Sequence, residues 1–148
     1  MQRAEFIKSC GLACLGAVTL SPFLQSCAGT KIITAQIAGD NIMVPLIEFE
    51  EIKKEKKSIR KYIVVQNDSL QFPIAVYRLS EKEYTALYMK CSHQGNEVTP
   101  YGDKLHCSGH GSEFDKNGKV TNGPAEKSLR TFPVLIDNEY LKISLKAV

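Results

Sequence analysis

The segment from Cys91 to Ala125, CSHQGNEVTPYGDKLHCSGHGSEFDKNGKVTNGPA, constrains this chain more than any other. It holds Cys91-Ser92-His93 and Cys107-Ser108-Gly109-His110, two boxes that each join one thiol to one imidazole. Thiolate and imidazole are ligands for soft and borderline metals, so the four together point to a metal centre. Zinc takes such a set tetrahedrally, usually with cysteine spaced against cysteine and histidine against histidine. Here each box mixes the two types. That symmetry suits a [2Fe–2S] cluster with both thiolates on one iron and both imidazoles on the other. Thirteen residues separate His93 from Cys107, enough for one loop to return beside the other.

The other cysteines are sorted by position. Arg3 and Lys8 precede an apolar or small run, Ser9 to Leu24, which is the layout of an export signal over residues 1–26. Sixteen residues interrupted by Pro22 make a poor span for a bilayer core that wants about 20. Leu24-Gln25-Ser26-Cys27 resembles a bacterial lipobox, with Gln25 looser than the usual small residue. The resemblance implies cleavage before Cys27 and acylation of its sulfur, and so a lipid anchor to a membrane. Ordinary signal cleavage near Ala28 and an uncleaved anchor helix are the competing readings. Arg3-Ala4-Glu5-Phe6-Ile7-Lys8 is similar to a twin-arginine signal whose second arginine is Ala4. Cys10 and Cys14 would leave with the signal, so residues 27–148 keep Cys91 and Cys107 as thiols. Two thiols in an exported domain would by default pair as a disulfide. A histidine at ligand spacing beside each favours metal instead.

The remainder reads as β-structure. Ile32 to Ala38 and Asn41 to Phe49 look like two strands, with Pro45 suiting an edge or a bulge. Glu50 to Lys61, EEIKKEKKSIRK, reads as a solvated loop or short turn, or else as a basic docking patch for an acidic partner or lipid headgroups. Tyr62 to Val65, Ile74 to Leu79 and Tyr84 to Met89 alternate with polar turns, and the last runs straight into Cys91. Lys104 to His106 reads as a strand. Asn117-Gly118 marks a hairpin between Glu113-Phe114-Asp115 and Val120. Phe132 to Ile136 and Glu139 to Leu145 form a last hairpin through Asp137-Asn138. No 3.6-residue periodicity stands out after the signal. The expected class is all-β, a sandwich of small antiparallel sheets carrying a two-loop metal subdomain at about 88–125. A formal charge of +3, with 16 acidic residues interspersed, argues against nucleic acid.

Cys-x-His, then Cys-x-x-His, Gly-Ser, Phe-Asp, Gly and Gly-Pro-Ala together resemble the Rieske iron–sulfur family, from about Ile42 to the C-terminus. The resemblance implies one [2Fe–2S] cluster per chain. Cys91 and Cys107 would bind its inner iron, and His93 and His110 its outer, surface iron. It further implies that Gly95 and Gly111 permit the tight loops, and that Ser112 donates its hydroxyl to a bridging sulfide. Gly123-Pro124-Ala125 would cover the cluster from a third side. Two positions depart from the respiratory members. Asn96 and Gly109 stand where those proteins carry a cysteine pair, so that inter-loop disulfide cannot form. Phe114 stands where they carry a tyrosine that bonds a ligand sulfur. His106, one residue outside the ligand spacing, reads as an ordinary side chain, and sequence does not place Tyr88 or Tyr101.

Neutral imidazoles leave such a cluster less negative than four thiolates would and raise its potential, roughly into −150 to +300 mV. Their remaining ring nitrogens can lose protons, which links electron and proton affinity. The expectation is a single-electron carrier or redox-complex subunit at the periplasmic side of a bacterial envelope. A redox partner protein would dock at His93 and His110. Rieske oxygenases carry a long mononuclear-iron domain that has no counterpart here, so a carrier is a better description than an enzyme. The alternatives are a ferredoxin serving a ring-hydroxylating oxygenase and a zinc-stabilised binding module.

Overall fold

A computed structural model describes residues 29–146. The expected signal over residues 1–26, with Cys10 and Cys14, and the expected lipidation site Cys27 lie outside the described residues. Strands β6 (Tyr62–Gln66), β7 (Ile74–Arg78) and β8 (Tyr84–Tyr88) form an antiparallel meander. β1 (Ile32–Thr34) joins it parallel to β6, and β13 (Thr131–Phe132) antiparallel to β8, giving the order β1-β6-β7-β8-β13. This sheet is covered on both faces. Successive side chains of a strand point to opposite sides. Ile63, Val65, Ile74, Val76 and Ala86 therefore enter one core, while Val64, Ala75, Tyr77 and Leu87 enter another. That explains the unbroken apolar run Ile74-Ala75-Val76-Tyr77, buried at every position.

The first core is closed by a four-stranded sheet, β14 (Val134–Asp137), β15 (Tyr140–Ser144), β3 (Asn41–Pro45) and β2 (Gln36–Ala38), in that order. It contributes Ile42, Val44, Leu141 and Ile143. The second core is closed by β12 (Val120–Asn122), β11 (Glu113–Asp115), β10 (Lys104–Cys107) and β9 (Val98–Tyr101), which contribute Val98, Leu105, Cys107 and Phe114. Burying Leu105 or Phe114 completely contributes about 1.5–3 kcal/mol each. Tyr77 donates its hydroxyl to the Lys104 carbonyl at 2.8 Å and ties this sheet to the central one.

Four expectations change. Ile32 to Ala38 is two strands, because the chain leaves the central sheet at Ala35 and enters the neighbouring one. Asn67 Nδ2 holds that crossing point by donating to the Ala35 carbonyl at 2.8 Å. Phe132 to Ile136 divides in the same way at Pro133, which has no N–H for a ladder. Pro45 is neither at an edge nor in a bulge. It ends β3 opposite Tyr140, beyond the residues that pair with β2. The polar stretch Glu50 to Lys61 is a hairpin rather than a loop, β4 (Glu50–Lys53) with β5 (Lys56–Ile59). Its turn residues Lys54 and Glu55 have φ of 47° and 63°, the sense that matches strand twist in two-residue turns. Such turns favour asparagine or glycine, so the sequence carried no sign of it. Glu51 secures the hairpin through Lys53 at 2.7 Å, Arg60 at 3.1 Å and Ser58 at 3.1 Å.

Val98–Tyr101 is also a strand, although it contains Pro100. It lies at the edge of its sheet, where proline costs no ladder bond. The β9–β10 turn at Gly102-Asp103 stands at one end of this sheet. Cys107, opposite Val98, stands at the other, about 10 Å along the strands.

Candidate metal centre

Both boxes fold into the same loop. The Cys91 N–H donates to the Asn96 carbonyl at 2.7 Å, and the Gly95 N–H to the Cys91 carbonyl at 2.9 Å. Sixteen residues on, the Cys107 N–H donates to the Ser112 carbonyl and the Gly111 N–H to the Cys107 carbonyl, both at 2.9 Å. Gly95 and Gly111 close these turns at φ of 75° and 79°, where a Cβ is strained. β8 delivers the first loop through Met89, and β10 the second directly through Cys107.

The repeated geometry sorts the four candidate ligands by depth. Cys91 and Cys107 are 3% and 1% exposed and belong to the second core. His93 and His110 are exposed, their ring centroids 5.0 Å apart and their planes at 89°. Burial pushes the Cys91 thiol above its ordinary pKa, and the neighbouring Cys107 thiol adds to the shift. The backbone N–H groups of His93 and Gln94 act in the opposite sense, because they hydrogen bond its sulfur and favour thiolate. A positive metal would reverse the balance that burial sets. Among the described residues, no three His, Cys, Asp or Glu side chains converge on one ion position. Two thiols inside and two imidazoles outside fit a centre with two metal positions better than a tetrahedral zinc.

The third loop is tied to both boxes. Ser112, fully buried, accepts the Ala125 N–H on Oγ at 3.0 Å, which leaves its hydroxyl proton to donate elsewhere. Asn122 Nδ2 donates to the Gly111 carbonyl at 3.1 Å and to the Gly123 carbonyl at 3.3 Å. Ser92 Oγ donates to the Lys127 carbonyl. Neither Ser92 nor Asn122 was marked by the sequence reading. Only their position, next to Cys91 and before Gly123-Pro124, hinted at a role. The Gly123–Pro124 peptide is cis, and Pro124 is exposed.

The remaining candidates separate cleanly. Phe114 is fully buried in the core that holds both cysteines. His106 stands half-buried on β10 with Nδ1 4.0 Å from Glu113, away from the other histidines. Tyr101 donates to Glu113 at 2.9 Å on the same outer face. Tyr88 belongs to the first core, edge-on to Phe72 and Phe132.

The sequence profile of the Rieske [2Fe-2S] domain matches residues 43–133. The chain belongs to the Rieske family. That stretch contains both boxes and the loop at 123–125, and stops short of β14 and β15. The cofactor is accordingly a [2Fe–2S] cluster, one per chain, and not zinc. Iron–sulfur subunit 2 of the cytochrome b6-f complex from Nostoc sp. PCC 7120 is 23% identical over 129 residues, 86% of this chain and 56% of that protein. The cytochrome b6-f iron–sulfur subunit of Prochlorococcus marinus is 40% identical over 57 residues, 36% of this chain and 32% of that protein. The chain thus spans about half, or less, of the length of these curated relatives. Among solved structures, the plasma membrane Rieske protein of Synechocystis PCC 6803 superposes with a TM-score of 0.50 at 24% identity. The superposition covers 57% of this chain and 86% of that one, and shows a shared Rieske fold.

Proposed function

We propose that this Rieske chain is a single-electron carrier or redox-complex subunit of the cell envelope. Cys91 and Cys107 hold the inner iron, and His93 and His110 hold the outer iron. One observation carries the assignment: two turns with the same hydrogen-bond pattern bury the thiols and expose the imidazoles side by side. When bound, the cluster accepts and releases one electron. The protein's part is to place it. The second core keeps water from the thiolates, Gly95 and Gly111 shape the turns, and Ser112 offers its hydroxyl proton inward. Phe114 packs behind the cysteines, and the loop carrying Pro124 shields the third side. His93 and His110 form the exit to a docked redox protein, because of the four ligands they are the two that reach the surface.

The absence of a cysteine pair at Asn96 and Gly109, and of a hydroxyl at Phe114, places the potential in the lower or middle part of the family range. Residues 1–26 serve as the export signal, and acylation at Cys27 anchors residues 27–148 at the periplasmic side. The b6-f subunits among the relatives support membership of a membrane-side redox chain. Among the described residues no helix is long and apolar enough to cross a membrane.

Electron paramagnetic resonance of the reduced protein tests the centre. A rhombic signal with a low average g is expected, and is lost in Cys91→Ser and Cys107→Ser. A colourless zinc protein, or a signal that survives both substitutions, overturns the ligand set. Mass measurement of the N-terminal peptide from isolated membranes tests the anchor.

A further inference from the structure

The hairpin that sequence reading took for a loop has a composition that the electron-carrier role does not use. Residues 50–61 hold six basic residues against three glutamates, an excess of +3 that equals the formal charge of the whole chain. Part of this charge is paired within the fold, Lys53 and Arg60 with Glu51 and Lys61 with Asp103. Lys57 reaches Glu50 only at 3.6 Å and its side chain is 82% exposed. Lys54 and Lys56 are exposed and have no carboxylate partner among the described residues. The register pairs Glu50 with Ile59, Ile52 with Lys57 and Lys53 with Lys56, so Glu50, Ile52, Lys57 and Ile59 share one face, while Lys56 stands on the other face next to the turn residue Lys54. Ile52 is 78% exposed and Ile59 47%. Bare isoleucine beside lysine suits an interface in which the apolar group dips in and the long basic side chain reaches charged headgroups.

The position of the hairpin identifies its partner. The described chain begins at Gly29, whose carbonyl accepts from Arg60 Nη1 at 3.5 Å. Gly29, Lys53, Ile59, Arg60 and Gly102 line one groove. The two residues from Cys27 to Gly29 span at most about 7 Å. The hairpin therefore stands beside the point where the chain would leave a lipid. It also stands beside the β9–β10 turn, held by Lys61–Asp103 at 3.1 Å, at the end of the sheet away from Cys107.

We propose that the β4–β5 hairpin meets an anionic lipid surface with its turn end, through Lys54, Lys56, Lys57 and Ile52, and so aims His93 and His110 away from the membrane. This rests on the anchor at Cys27 proposed above. Acyl chains on Cys27 hold the chain at the surface but leave its orientation free, and a basic patch beside the tether adds a second point of contact. It also limits the directions in which a tethered domain can point.

The test uses the full chain as isolated from its own membranes, reconstituted in vesicles of phosphatidylcholine alone or with a third phosphatidylglycerol. Lysines are labelled with a water-soluble amine reagent and read by peptide mass spectrometry. Lys54, Lys56 and Lys57 are expected to be protected severalfold in the anionic vesicles only. High salt, or Lys54→Glu with Lys56→Glu and Lys57→Glu, should remove the protection. Lys127, whose carbonyl accepts from Ser92 beside Cys91, should label equally in both vesicles. Equal labelling of the hairpin in both overturns the proposal, whether or not Cys27 carries lipid. Protection with an unmodified Cys27 overturns the anchor and keeps the surface. Protection in native membranes that is absent from anionic vesicles means an acidic protein partner and overturns the lipid assignment.

Discussion

Asn96 lies so close to Gly109 that a Cβ on the glycine would stand 2.0 Å from Asn96 Nδ2 and 3.7 Å from Asn96 Cβ. The asparagine carboxamide occupies the space between the two boxes, and the missing side chain at position 109 makes room for it. A Cβ separation of 3.7 Å falls within the range that a disulfide needs. Asn96→Cys with Gly109→Cys should therefore oxidise to a cross-link, read as loss of two thiols by mass spectrometry. A loop of this length should raise unfolding stability by about 3 kcal/mol. Failure to cross-link under mild oxidant would mean that the two loops stand farther apart.

The single substitution Gly109→Ala pushes the Asn96 amide aside and should cost about 1 kcal/mol. Adding Asn96→Ala removes the obstruction, so the double variant should regain that loss. Denaturant midpoints of the four proteins in the cycle check this coupling.

Gly111→Ala should cost about 1–2 kcal/mol, because its φ of 79° puts a Cβ against the following carbonyl. Nothing lies within 4 Å of that Cβ, so the loss comes from the backbone alone. Gly95→Ala should cost about as much, at φ of 75°, since the atom its Cβ would meet, Lys90 Cε at 3.2 Å, is the far end of an exposed lysine that can move aside. Thermal unfolding of the cluster-loaded protein, with iron content measured alongside, checks both.

Phe114→Tyr should raise the reduction potential. A hydroxyl donated to a ligand sulfur stabilises the reduced, more negative cluster. About 1 kcal/mol of such a bond corresponds to roughly 40 mV for one electron. Redox titration checks the direction. An unchanged potential with a stability loss of about 1–3 kcal/mol would show a buried hydroxyl left without a partner.

Glu113 gives the acid limb of stability a defined origin. Hydrogen bonds from Lys104 and Tyr101 hold its carboxyl below the ordinary value of 4.5. The folded state therefore binds fewer protons than the unfolded one in that range. The contribution is fully present above the ordinary value and is lost as pH falls through the lowered folded pKa. Lys104 is shifted up by the same partner, so its contribution is lost only as pH rises through its raised value above 10.5. Glu113→Gln should flatten the acid limb of a denaturant-midpoint profile, and Gln at this position should leave neutral-pH redox behaviour unchanged.

Much of the centre was legible in residue types and their spacing. Cys91, His93, Cys107 and His110 stand out because few other chemistries use one thiol and one imidazole per box. The central strands β6, β7 and β8 were legible because their apolar runs are bounded by polar turns. The β4–β5 hairpin was not, because Lys54 and Glu55 take a turn conformation that their side chains do not advertise and that Glu51 stabilises from a distance. The splits at Ala35 and Pro133 were hidden for a related reason. A strand that changes sheets keeps its local pattern and changes only its neighbours.

Sequence by itself determined the metal chemistry, since ligand identity and the glycine at each turn are local properties. It also determined that Asn96 and Gly109 cannot form a disulfide. Tertiary structure decided which donors are buried and which exposed, because depth depends on the second core packed behind Cys91 and Cys107. It decided that Asn96 fills the space beside Gly109, and that Ser92 and Asn122 bind the third loop, since these contacts join residues distant along the chain. The segment from Cys91 to Ala125 names its candidate ligands. The sheets around it give them an inside and an outside.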